Sequence, residues 1–124
     1  MAGVIFIGCD SSKPFGEQMI HNYEGRAGFS AFGALLDEAL AADYSSQLEE
    51  IKEGELLKQY SFIGLNAPDY NNVIRAIRSY IANLKNPNQY QQISIAAWNR
   101  AAEPFVRKDK RYDFSFFGEV RQDG

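Results

Sequence analysis

The sequence predicts an α+β fold in which about four helices pack on a small sheet of short strands. Three observations predict it. The stretch GVIFIGC at residues 3–9 is a short apolar run with Val and Ile, the pattern of a buried strand. The stretch NAPDYNNVIRAIRSYIANLK carries Tyr70, Val73, Ile74, Ile77, Ile81 and Leu84 at helical spacing. Near the C-terminus, Tyr112, Phe114 and Phe116 alternate with Asp113 and Ser115, the period of a strand. The sheet is therefore expected to combine the N-terminal strand with residues 58–64 and 111–120. A mainly α fold with extended tails is the alternative.

The elements follow in order. After the first strand, DSSKPFGE reads as a loop broken by Pro14 and Gly16. Residues 17–25, EQMIHNYEG, read as two helical turns ended by glycine. In FSAFGALLDEALAAD, the residues Phe32, Leu35, Leu36, Ala39 and Leu40 form a helical stripe with Ser30 as the N-cap. Ser46 and Glu49 make the S-x-x-E pair of a capping box, opening a helix with Leu48 and Ile51 inward and Gly54 weakening it. Tyr60 and Phe62 alternate with Ser61 and Ile63, which suggests a strand through Gly64. Asn66 with Asp69 caps the next helix, and Pro68 suits its first turn. The last helix is expected to start with Asn86 as N-cap, Pro87 at N1 and Gln89 at N3. Its inner face is Tyr90, Ile93, Ala97, Trp98 and Ala101, and Pro104 stops it.

The chain has 124 residues, 45% hydrophobic and 14% aromatic, enough for one core, so it reads as one globular domain over 1–124. Its one cysteine, Cys9, excludes an internal disulfide framework and fits a reducing compartment. The longest apolar run, residues 4–7, is far shorter than the roughly 20 residues of a membrane span. MAGVIFIGCD lacks the basic and long apolar regions of a signal peptide, so a cytoplasmic location is expected.

Net charge is −3, unevenly spread. Residues 1–66 carry −6 and residues 67–124 carry +3. An acidic front half suits a basic partner better than free nucleic acid. Asp37, Glu38, Asp43, Glu49, Glu50, Glu53 and Glu55 lie off the apolar stripes, which gives a carboxylate-rich helix face. The cations Arg107, Lys108, Lys110 and Arg111 precede the C-terminal aromatics. Cations beside stacking rings are one way to bind nucleic acid. Here the rings are expected to pack on the helices, which leaves the cations in a solvated loop.

Other chemistry has thin support. Glu17, His21 and Glu24 would share a helical face, but no second histidine completes a ligand set and no H-E-x-x-H is present. Cys9 with His21 satisfies the residue types of a thiol hydrolase. No G-x-S-x-G, phosphate-binding loop or dinucleotide fingerprint appears. No catalytic residue, metal site or cofactor is assigned.

In type, the chain resembles the small acidic immunity proteins that bacteria make against polymorphic and contact-dependent growth-inhibition toxins. The features are LLDEALAADYSSQLEEIKEGE, the lone cysteine, the abundant aromatics and the missing catalytic set. The resemblance implies a cytosolic inhibitor, not an enzyme, that binds a basic toxin domain tightly. Glu49, Glu50, Glu53 and Glu55 are then the first candidates for contact, and Arg107, Lys108, Lys110 and Arg111 the second. A small enzyme using Cys9 or His21 and a structural adaptor are the competing functions.

Overall fold

The computed structural model describes residues 2–121. Its elements are β1 (Gly3–Cys9), β2 (Met19–Glu24), α1 (Arg26–Leu40), α2 (Ser45–Ile51), β3 (Gln59–Ser61), α3 (Ala67–Asn83) and α4 (Gln89–Ala101). Short 3-10 turns lie at Glu55–Leu57 and Val106–Lys108. The fold is α+β, with four helices on a three-stranded sheet ordered β2-β1-β3.

β1 is the central strand, antiparallel to β2 and parallel to β3. Its alternation sets the layers. Ile5 and Ile7 are fully buried beneath the helices, whereas Val4 and Phe6 are half-buried on the other face. On that outer face, Tyr23 and His21 of β2, paired with Val4 and Phe6, are exposed. A bulge between Phe6 and Gly8 shifts the register against β2. Cys9 thereby pairs with Met19 and returns to the outer face, where it is exposed.

The core is aromatic at its centre. Phe32 of α1 meets Tyr60, Phe62 and Trp98, with ring centroids 6.1, 6.4 and 5.9 Å away. Phe29 stacks on Tyr60 at 4.3 Å. Burying such rings contributes about 25 cal/mol per Å2 removed from water. α1 can approach β3 this closely because position 33 is glycine: a Cβ there would lie 2.1 Å from the Tyr60 hydroxyl.

Several sequence expectations need correction. Residues 17–25 are not helical. Met19–Glu24 form strand β2, with Met19, His21 and Tyr23 outward and Ile20, Asn22 and Glu24 inward. Pairing with β1 overrides a helix two turns long, which has little stability of its own. α1 starts at Arg26 with Gly25 at the cap position, so Ser30 lies inside the helix. α2 has no side-chain cap, and the Ser46–Glu49 box is not formed. Asn66 does cap α3, accepting a hydrogen bond from the Asp69 N–H. α4 is capped two residues later than expected, by Asn88 with Gln91 in a reciprocal box, while Asn86 adopts φ 50°. Tyr90 is exposed rather than inward. α4 ends at Ala101, and Pro104 lies in the turns beyond it.

The strand expected at 111–120 is absent, and these residues form turns. The Asp113 carboxylate accepts hydrogen bonds from Ser115 N–H, Ser115 Oγ and Phe116 N–H, which curls the chain. Phe117 can then stack on buried Tyr112 at 4.6 Å, and Phe114 meets the same ring edge-on at 4.9 Å. Phe116 is turned outward beneath Arg75. Rings gathered around one tyrosine replace the alternation that suggested a strand.

Candidate protein-binding face

The acidic residues divide into two groups. Lys52 sits between Asp37, at 2.7 Å, and Glu55, at 3.5 Å. Glu55 also accepts a hydrogen bond from the Tyr60 hydroxyl at 2.7 Å. Burial, then this contact with Glu55, pushes the Tyr60 phenol well above its ordinary range. Glu55 is thus committed to holding the 3-10 turn against the sheet. Glu49, Glu50 and Glu53 are exposed and form no ion pair among the described residues.

Glu50 and Glu53 line one side of an open cavity of about 340 Å3 whose other walls are Gly54, Gln59, Ser61 and Gly64. This cavity runs along the outer edge of β3. The Val4 N–H donates to the Lys58 carbonyl and the Phe62 N–H donates to the Phe6 carbonyl. The intervening Gln59 and Ser61 therefore turn their main-chain groups away from β1. The Glu50 carboxylate leans over Gly64, where a Cβ would come within 2.3 Å of its Oε2.

Three positions after Glu53 in the chain come Leu56 and Leu57, which sequence reasoning missed. They are 97% and 75% exposed. The 3-10 turn is closed by hydrogen bonds from Leu57 and Lys58 to Gly54 and Glu55, and Lys58 takes φ 60°. This geometry holds both side chains outward. The available signal was the pair itself, bracketed by Gly54 and Lys58. Exposed leucines on a segment that also exposes carboxylates have the make-up of a binding face: apolar side chains for burial and charge for steering.

The basic segment is less available than its sequence suggests. Arg111 is turned inward and stacks on Tyr70, 4.1 Å from the ring centroid. Its guanidinium donates to the carbonyls of Phe62 and Leu65 at 2.8 and 2.6 Å and to both oxygens of Asp109. Asp109 also accepts from the Cys9 N–H at 2.9 Å. Burial pushes the Asp109 carboxyl up, but bonds from Arg111 and Cys9 outweigh it and leave the group below 3.8. Arg107 is held by Glu119 at 2.8 Å and by Glu103 at 3.4 Å. Lys108 lies against the Phe105 ring, and Lys110 is exposed. The four cations are therefore not one patch: two of them are structural.

The residues considered for chemistry separate likewise. In β2, His21 faces out and Glu24 faces in, where Arg100 grips it through bonds of 2.8 and 2.6 Å. Glu17 lies in the preceding loop, so the helical face that would have joined the three does not exist. Among the described residues no cluster of three or more His, Cys, Asp and Glu could hold a metal ion. Cys9 and His21 share the outer sheet face, with Met19 opposite Cys9, and no hydrogen bond joins them among the described residues. No described helix is long and apolar enough to cross a membrane.

No protein-family model matches the chain, and no significant match was found among curated proteins or solved structures.

Proposed function

We propose that the protein is an inhibitor of the immunity type, which neutralises a basic toxin domain by binding it through the α2 face. The observation that carries this reading is the exposure of Leu56 and Leu57 a few positions after the exposed carboxylates Glu49, Glu50 and Glu53 in the chain. Two adjacent leucines in water forgo a burial gain of roughly 1.5–3 kcal/mol each, which a docked partner recovers. The carboxylates draw in a cationic surface and disfavour acidic ones. Capture from the source cell lysate with the tagged chain tests the reading. A stoichiometric basic protein, toxic when expressed alone, is the expected catch, and Leu56→Asp with Leu57→Asp should release it. Failure to capture any partner would overturn the reading. A partner that binds the double variant equally well would overturn the face.

A second reading, a small thiol enzyme, is favoured by the bulge that returns Cys9 to the face bearing His21. It requires an activity lost in both Cys9→Ala and His21→Ala.

A further inference from the structure

The sheet has two edges, and only one is guarded. The β3 edge is three residues long and flanked by Glu50 and Glu53. β2 is six residues long, MIHNYE, with neither lysine nor proline. Its one charge, Glu24, points inward onto Arg100. The Asp10 N–H donates to the Gln18 carbonyl, so Gln18, Ile20, Asn22 and Glu24 direct their main-chain groups at β1. The main-chain N–H and C=O groups of Met19, His21 and Tyr23 face the other way, off the edge of the sheet. Their side chains are exposed on the outer face, Tyr23 at 71% and Met19 at 45%. Long, uncharged, regular edges are the ones that recruit another strand.

We propose that this edge pairs with the β2 edge of a second copy of the chain, making a two-fold dimer with a continuous six-stranded sheet. The strand is complementary to itself. In the antiparallel register centred on His21, Met19 faces Tyr23 of the second copy and Tyr23 faces its Met19. Each His21 then faces its counterpart. Three hydrogen-bonded pairs give about six main-chain bonds. The charges flanking the strand have opposite signs, Glu17 before it and Arg26 after it. Antiparallel pairing brings Glu17 opposite Gly25 of the second copy, next to its Arg26, and does so at both ends. A parallel arrangement would oppose like charges. Phe15, 98% exposed on the loop leading to the same edge, lies at the rim of the contact. The α2 face is at the opposite edge of the sheet, so the dimer would leave both copies of it open. An interface of one strand pair is small and implies affinity in the micromolar range.

Sedimentation equilibrium of the full chain across micromolar to millimolar concentration tests this. A concentration-dependent dimer is expected. His21→Lys places like charges opposite each other and should weaken the dimer by about fivefold or more, with unchanged circular dichroism because position 21 is exposed. Mixing His21→Lys chains with His21→Glu chains should restore association. A wild-type chain that stays monomeric throughout, or that binds an extended strand of another protein instead, overturns the proposal. A dimer insensitive to His21→Lys, or not restored by mixing, also overturns it. Leu56→Asp should leave dimerisation intact, which separates this contact from the α2 face.

Discussion

Asp109 occupies the space that a side chain at position 8 would need. A Cβ on Gly8 would lie 2.0 Å from Asp109 Oδ2, the oxygen that accepts from the Cys9 N–H. The carboxylate cannot retreat, because Arg111 holds both of its oxygens from the other side. Gly8→Ala should therefore destabilise the fold by about 2–4 kcal/mol. Chemical denaturation followed by far-UV circular dichroism measures it. A loss below about 1 kcal/mol would mean that the strand end yields without breaking the contact.

Arg111→Met should cost more, about 3–5 kcal/mol, because it strands the Asp109 carboxylate in a buried site. The double variant Arg111→Met with Asp109→Leu should recover part of that loss. A double-mutant cycle showing additive losses would remove the ion pair from the account.

Acid should loosen the C-terminal turns. Hydrogen bonds from Arg107 hold the Glu119 carboxyl down at about 2 against an ordinary 4.5, with burial opposing and the Tyr112 hydroxyl assisting. Because the folded value is the lower one, this contribution is complete above about pH 4.5 and fades as pH falls toward 2. Asp109 shifts in the same direction. Urea midpoints at pH 6 and pH 3 should differ more for wild type than for Glu119→Gln. Equal differences would show that Glu119 is not among the groups responsible.

The Tyr112 hydroxyl accepts from Arg78 at 2.7 Å and donates to Glu119 at 2.7 Å. Tyr112→Phe keeps the stack on Phe117 and removes only these bonds, so a loss of about 1–2 kcal/mol is expected. Thermal unfolding gives the value, and an unchanged midpoint would assign the segment's stability to ring packing alone.

Reversal of Glu49, Glu50 and Glu53 to lysine should slow association with a basic partner about tenfold or more and leave the unfolding midpoint within about 0.5 kcal/mol of wild type. Stopped-flow association at low and high salt checks both steering and its screening. Association equally fast in the variant would discard the acidic rim.

Much of the frame was legible because local and tertiary signals agreed. α3 carries its own cap at Asn66 and a clear stripe, and β1 is apolar and β-branched. β2 was misread because EQMIHNYEG sets Glu17, His21 and Glu24 at helical intervals, and only the pairing with β1 decides between the two periods. The C-terminal turns were misread because rings two residues apart look like a strand, although the D-x-S at Asp113 and Ser115 already held the turn signal. At the candidate face, the outward charge of α2 could be read directly. The inward turn of Arg111 could not, since its carbonyl partners lie at Phe62 and Leu65, far away in the chain.

The clamp at Asp109 and Arg111 also sets an order of events during synthesis. By the time Ala101 has left the ribosome, every described α-helix and strand has been made, yet the N–H of Cys9 still lacks its acceptor. That acceptor is 100 residues downstream of Cys9. The end of β1 is tied down last, from the late end of the chain, and contacts of such long separation slow folding. Nascent chains halted before residue 109 should display native helices with an unlocked β1, a state open to protease until the final segment arrives.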